Sequence, residues 1–142
     1  DVDFVLGQYR TCWGWSLQDD RTTWLEVFDT RWSHCHQWAG CPTWQLSRYL
    51  LGLQPRFDIG EMNFSVSLAT GSLMNVSGTL PIAGRDEVIK VSWRKDAAGL
   101  HYTLETPVPL TLHLDASLAG GKPQAVEVDR AFTATWGLAA CS

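Results

Sequence analysis

The sequence lacks long apolar runs and clustered positive charge. No stretch of about 18 uncharged apolar residues occurs, so no transmembrane helix is predicted. The formal net charge is -4, and no run of Lys and Arg is longer than Arg94-Lys95. Nucleic-acid binding needs a basic patch that neutralises phosphate charge. We therefore expect neither a membrane nor a nucleic acid as a partner.

The chain is also too short for a large enzyme. Its 142 residues suffice for one domain, or for a short helical piece with a small β domain, because domains commonly contain about 100 to 150 residues. Tryptophan, in contrast, is abundant: six of the eight fall within the first 44 residues. Such a cluster is typical of core packing, but a planar aromatic ring also suits the C–H face of a sugar.

Cysteines and glycosylation sequons favour an oxidising compartment. The cysteine count is even, and two Asn-x-Ser sequons begin at Asn63 and Asn75. Together they predict a secreted protein with disulfide bonds. No signal peptide is visible at the start, so we expect that one was removed or lies upstream in a longer precursor. The disulfide candidates are Cys12, Cys35, Cys41 and Cys141.

Two helices are predicted in the first 55 residues. Apolar residues between Val2 and Leu17 recur with the helical period, and a second helix is predicted from Pro42 to Leu51, with Gly52 as its stop. Between them, residues 18–40 lack any helical period and are rich in Asp, Thr, Trp and His. Irregular segments of this length are usually functional.

The period changes to two after Pro55. Alternation of apolar and polar residues, interrupted by Gly-containing turns, predicts seven short antiparallel strands and hence a β-sandwich or jelly roll. The predicted strands cover Met62 to Leu68, Met74 to Leu80, Val88 to Arg94, Leu100 to Thr106, Pro109 to Asp115, Ala125 to Asp129 and Ala131 to Trp136. His101, Tyr102 and Trp93 are residue types that line sugar grooves, but alternate strand positions are mostly core, so we assign them no role.

One carboxylate in the irregular segment suits proton transfer. Glu26 follows Trp24 and Leu25, and bulky apolar neighbours suit a carboxyl group to proton transfer near neutral pH, although a helix-entry or surface Glu has the same local sequence. Cys35, Cys41 and the neighbouring histidines are zinc-ligand types, but their spacing fits no standard site. We predict no metal and no cofactor, and favour a disulfide of Cys35 with Cys41 or with distant partners.

Several motifs together resemble a known family. The motifs are Trp13-Gly14-Trp15, Thr22-Thr23-Trp24-Leu25-Glu26, Ser33-His34-Cys35-His36-Gln37-Trp38, Pro42-Thr43-Trp44 and Leu46-Ser47-Arg48-Tyr49-Leu50-Leu51-Gly52-Leu53-Gln54-Pro55. With these motifs, the first 55 residues resemble the last helical hairpin of the α-L-rhamnosidase family, whose catalytic domain is an (α/α)6 barrel. Beyond them, the strands resemble the family's C-terminal β domain only in layout and in residues 89–93.

The resemblance implies a fold, a function and site residues. It makes the chain α+β, with residues 1–55 as the end of an (α/α)6 catalytic domain and residues 56–142 as a jelly-roll-like antiparallel β-sandwich. In the family, a Thr-Thr-x-x-Glu segment supplies the general base, and a Ser-x-x-His-x-Trp segment supplies a histidine that touches the sugar. Glu26 is then the base and His36 a sugar ligand, with Trp38 and Trp24 beside the substrate.

The chain departs from the family pattern at two places. Asp19-Asp20-Arg21 stands where a small turn is usual, and Leu25-Glu26 replaces Trp-Glu. An inverting glycosidase also needs a second carboxyl group as acid, about 6.5 to 9.5 Å from the base. The family's acid comes from an earlier part of the barrel. We therefore expect this to be a C-terminal chain held against a larger N-terminal chain that completes the site.

Two other functions remain open from the sequence. The sandwich is also compatible with a non-catalytic carbohydrate-binding or structural module, in which the helical segment is a remnant. A lyase, or a hydrolase for another sugar, is equally compatible with the barrel because fold does not determine function. The leading interpretation is hydrolysis of terminal α-L-rhamnosides by an inverting mechanism, with a rhamnose-containing glycoside or polysaccharide as substrate.

Overall fold

The computed structural model describes residues 1–18 and 20–138. The fold is α+β, with two short helices and two mostly antiparallel sheets. The chain divides into two compact units, Asp1–Leu46 and Ser47–Ser142. No helix among the described residues is long and apolar enough to cross a membrane.

The first helix confirms the prediction from Val2 onward. It consists of α1 (Val2–Gln8), a π-helical stretch (Tyr9–Trp13) and α2 (Gly14–Ser16). The side chain of Asp1 caps its N-terminus, accepting a hydrogen bond of 3.1 Å from the Phe4 amide. The wider π-helical turns were not predictable from the apolar spacing, because that spacing indicates only which face is buried.

The second helix begins one turn earlier than predicted. A 3-10 stretch (Gln37–Gly40) leads into α3 (Cys41–Gln45) and then into a second π-helical stretch (Leu46–Leu51), with Pro42 in the first turn of α3. The predicted stop at Gly52 is confirmed, since this residue has a φ of +71°. A side chain at this position would also collide with Leu68, whose Cδ2 would lie 2.5 Å from an added Cβ.

Eight strands follow, in two four-stranded sheets. The first sheet has the order β1-β2-β6-β7 and the second the order β3-β4-β5-β8. Their bounds are β1 Leu53–Pro55, β2 Asn63–Val66, β3 Asn75–Pro81, β4 Val88–Asp96, β5 Gly99–Glu105, β6 Leu110–Leu114, β7 Gln124–Val128 and β8 Ala131–Trp136. The seven predicted strands are present, and β1 is an addition that the sequence did not indicate.

One strand pair corrects the prediction of purely antiparallel sheets. β2 and β6 run parallel, with Phe64 opposite Leu112 and Val66 opposite Leu114. A parallel pair needs a long crossover connection, and here the chain passes through β3, β4 and β5 before it returns. Alternation of apolar residues predicts which face is buried but not which strand is the neighbour.

Both sheets share one hydrophobic core. In β4 the buried residues Ile89, Val91 and Trp93 alternate with exposed ones, as expected for a sheet with one solvated face. Trp93 and Tyr102 lie in this core and not in an external groove. The indole N–H of Trp93 donates a hydrogen bond of 2.6 Å to the carbonyl of Leu50, which joins β4 to the end of the second helix.

Candidate active site

The site is built by two short segments that lie side by side in the first unit. The amide of Glu26 donates to the carbonyl of Ser33 at 2.8 Å, and the amide of His36 donates to the carbonyl of Trp24 at 3.0 Å. The hydroxyl of Thr23 adds a hydrogen bond to the carbonyl of His34. These bonds bring the two motifs that suggested the family into contact.

The loop between the two segments is closed by a local ion pair. The guanidinium of Arg31 contacts both carboxylate oxygens of Asp29, with Nε 3.0 Å from each. This pairing lowers the pKa of Asp29 below its ordinary value. Asp29 therefore stays ionised near neutral pH and is poorly suited to act as the general acid.

Glu26 and His36 face each other across the site. Oε2 of Glu26 lies 3.7 Å from Nδ1 of His36, and the side chains are 23% and 29% exposed. This separation exceeds a hydrogen bond, so no direct bond joins the two side chains. No hydrogen-bond partner for the buried Nδ1 atom lies among the residues that the structure describes. The two side chains are thus partly exposed to water, although the Nδ1 atom itself is buried.

Trp38 contacts both members of this pair. Its indole N–H donates a hydrogen bond of 2.9 Å to the carbonyl oxygen of Glu26. Its ring lies against the imidazole of His36, with centroids 4.1 Å apart and planes tilted by 39°. The residue is nevertheless 64% exposed. Part of the ring surface next to His36 is therefore exposed.

Trp24 and Leu25 differ in their environments. Leu25 is buried, at 2% exposure, whereas Trp24 is half-buried. The ring of Trp24 packs against Gly40, where an added Cβ would lie 3.6 Å from its Cδ1 atom. The predicted contact of Trp24 with substrate stays a prediction, and its visible partner is the backbone that leads into α3.

The helices and the loop are joined around Trp13. Its indole N–H donates to the carbonyl of Ala39 at 2.6 Å, and its ring makes an edge contact with Phe28 at a centroid distance of 4.8 Å. The hydroxyl of Tyr9 donates to the side-chain oxygen of Gln45 in α3. In the sequence Trp13 is recognisable only as part of a motif, because its role depends on contacts with distant residues.

The irregular segment contains a residue with a left-handed backbone. Asp20 adopts a φ of +53°, a conformation that favours glycine and is tolerated best by Asn and Asp among other residues. An aspartate therefore suits this position. Asp19 lies outside the described residues.

The cysteine predictions are only partly covered by the structure. Cys12, Cys35 and Cys41 are free thiols in the described part of the chain, and Cys141 lies outside it. The predicted disulfides therefore stay predictions. Among residues 1–18 and 20–138 no cluster of three or more His, Cys, Asp or Glu side chains is arranged to hold a metal ion.

The two sequons occupy different environments. Asn63 lies in β2 between two other strands, and its side-chain oxygen is 2.9 Å from Nε2 of His113. Asn75 begins β3, which is an edge strand, and it is exposed. The structure therefore distinguishes two sites that the sequence treats alike.

Comparison with known proteins found no relative of this chain. No protein-family model matches the chain, and neither a curated protein nor a solved structure matches it.

Proposed function

We propose that this chain is the C-terminal portion of a secreted glycoside hydrolase of the α-L-rhamnosidase type, with Glu26 as the general base. The observation that carries the proposal is the pairing of Glu26 with His36 at 3.7 Å, beside the exposed ring of Trp38. A partly exposed carboxylate of this kind can accept a proton from an attacking water. The adjacent imidazole and aromatic ring can bind a sugar's hydroxyl groups and C–H face.

The proposed substrate is a rhamnose-containing glycoside or polysaccharide, and the proposed mechanism is inverting. An inverting glycosidase activates water with one carboxylate and protonates the leaving oxygen with another. Glu26 supplies the first function, while Asp29 is unsuited to the second because Arg31 holds it ionised. We propose that the acid comes from a larger N-terminal chain of the same protein, as the resemblance to the family implies.

Exposed apolar residues in the first unit support the proposal that this chain belongs to a larger protein. Leu6 and Leu25 are buried there, whereas several large apolar residues are strongly exposed. Exposed apolar residues that adjoin one another are typical of surfaces that another protein segment covers. We propose that further helices of an (α/α)6 barrel cover it, and that the two sheets form the jelly-roll-like C-terminal domain. The exposed residues include Phe4, Leu17, Trp32 and Trp44.

Replacement of the proposed base tests this function. In the full-length protein, Glu26→Gln should lower kcat for an aryl α-L-rhamnoside by about 100-fold to 10,000-fold, the usual contribution of a general base. Glu61→Gln is the matched control, because Glu61 is exposed and lies in the second unit. For the native protein, NMR should show that the sugar is released with inverted anomeric configuration.

Three results would contradict the proposal. Turnover that is unchanged in Glu26→Gln would exclude Glu26 as the base. Hydrolysis by the isolated 142-residue chain would exclude the shared site, since we expect this chain alone to be inactive. An inert full-length protein that still binds the glycoside would instead favour the non-catalytic carbohydrate-binding function.

A further inference from the structure

We infer that Trp38 is a positioning residue that fixes the geometry of Glu26 relative to His36. This role rests on the proposed function and extends it to a residue whose sequence pattern predicted only a wall beside the sugar. The structure gives Trp38 two separate contacts, one with each member of the pair.

Trp38, Glu26 and His36 each contact the other two. The indole N–H holds the main-chain carbonyl of Glu26 at 2.9 Å, and the indole ring lies against the imidazole of His36. The imidazole in turn faces the carboxylate of Glu26 at 3.7 Å. Displacement of the indole would therefore free both the backbone that carries the base and the ring that faces it.

The Glu26 and His36 side chains do not provide this rigidity by themselves. Both are about a quarter exposed, and ion pairs near solvent contribute little to fixing a geometry. Their separation also exceeds a hydrogen bond, so no direct bond sets their angle. The amide of Glu26 is held by Ser33, but its carbonyl is held by Trp38. Loss of the indole N–H therefore removes the hydrogen bond to the Glu26 carbonyl and leaves the one from the Glu26 amide to Ser33.

Positioning and substrate contact predict different kinetics. A residue that only lines the sugar site contributes binding energy, so its loss raises KM. A residue that holds the base in place acts on the transition state, so its loss lowers kcat with little change in KM. The exposed face of Trp38 is compatible with sugar contact as well, which makes this kinetic distinction the decisive measurement.

Trp38→Phe separates the two roles in the full-length protein. Phenylalanine keeps an aromatic ring beside His36 but lacks the N–H donor. We expect kcat for an aryl α-L-rhamnoside to fall at least tenfold, with KM changed less than twofold. Phe57→Leu is the control, because Phe57 is an exposed aromatic residue of the second unit, at 71%, and the variant should retain native kinetics.

A second variant covers the case in which Trp38→Phe fails to fold. Benzothienylalanine at position 38 preserves the size of the bicyclic ring and replaces only the N–H by sulfur, so the same fall in kcat is expected. A raised KM with native kcat, or native values for both constants, would overturn the positioning role. The proposed function is tested separately. If the Glu26→Gln variant is active, the base assignment is refuted. If Glu26→Gln is inactive but the Trp38→Phe variant has native kinetics, only the positioning role of Trp38 is refuted.

Discussion

Nε2 of His101 lies 2.9 Å from Oδ2 of Asp96, across the tight turn that joins β4 to β5. The other ring nitrogen of His101 is 3.1 Å from the hydroxyl of Thr135 in β8. The Asp96 carboxylate also accepts a hydrogen bond of 2.8 Å from the amide of Ala98. The imidazole of His101 in β5 thereby connects the carboxylate at the end of β4 to β8.

The first prediction concerns acid stability. Contacts with His101, the Ala98 amide and the Arg94 guanidinium hold the pKa of Asp96 well below its ordinary value. A depressed folded-state pKa stabilises the protein above the unfolded-state pKa of about 3.9, and this stabilisation is lost as the pH falls further. Asp96→Asn should therefore lower the melting temperature at pH 7 and have a smaller effect near pH 3. An equal effect at both values, or a comparable pH dependence in the control Asp129→Asn, would contradict this assignment.

The second prediction concerns two aromatic residues of the core. The hydroxyl of Tyr102 is buried, and no partner for it lies among the described residues, while burial raises the pKa of this group. Because an unpaired buried hydroxyl costs free energy, Tyr102→Phe should leave the free energy of unfolding unchanged or raise it by about 1 kcal/mol.

Trp93→Phe provides the contrasting case in the same core. It removes the bond to the Leu50 carbonyl and leaves a cavity, so it should lower the free energy of unfolding by about 2 kcal/mol. Urea denaturation of both variants measures the two effects. A strong destabilisation by Tyr102→Phe would indicate that the hydroxyl has a partner outside the described residues.

The third prediction compares two glycines with positive φ. At Gly99, φ is +139°, and an added Cβ would collide with the Trp136 carbonyl oxygen. At Gly84, φ is +72°, and no atom lies within 4 Å of an added Cβ. Gly84→Ala should cost about 1 kcal/mol for the backbone conformation alone. Gly99→Ala should cost about 3 kcal/mol or more, because the clash with the backbone of β8 is added. Equal melting temperatures for the two variants would contradict the close approach at Gly99.

The secondary structure was largely predictable because its signals are local. The alternation in β4 and the glycine after Leu51 each act within a few residues, and both predictions are confirmed. The parallel pairing of β2 with β6 was not predictable, since it depends on a connection through the other sheet. Strand β1 has only three residues and follows directly on a helix, so its sequence contains too short an alternation to be recognised.

Sequence motifs selected the candidate residues Glu26 and His36 but not their geometry. Residues 18–40 have no period from which a distance of 3.7 Å could be inferred. The bond from Trp38 to the carbonyl of Glu26 also has no sequence signature, because any main-chain oxygen is an equivalent acceptor. The contact between the candidates therefore depends on how the loop folds, and their chemistry stays a prediction.

The last prediction separates the two sequons. Asn75 is exposed on an edge strand, whereas the side chain of Asn63 is bonded to His113 and lies on a strand with neighbours on both sides. An oligosaccharide needs a freely accessible side-chain amide on the protein surface. When the chain is produced in a eukaryotic secretory host, we expect glycosylation at Asn75 and not at Asn63.

Intact-mass measurement with and without glycosidase treatment checks this selection. Asn75→Gln should remove the added mass, and Asn63→Gln should retain it. Asn63→Gln should also lower the melting temperature, because it disturbs the contact with His113, whereas Asn75→Gln should not. A glycan that persists in Asn75→Gln and disappears in Asn63→Gln would show that β2 is accessible during modification, contrary to the paired arrangement of that strand.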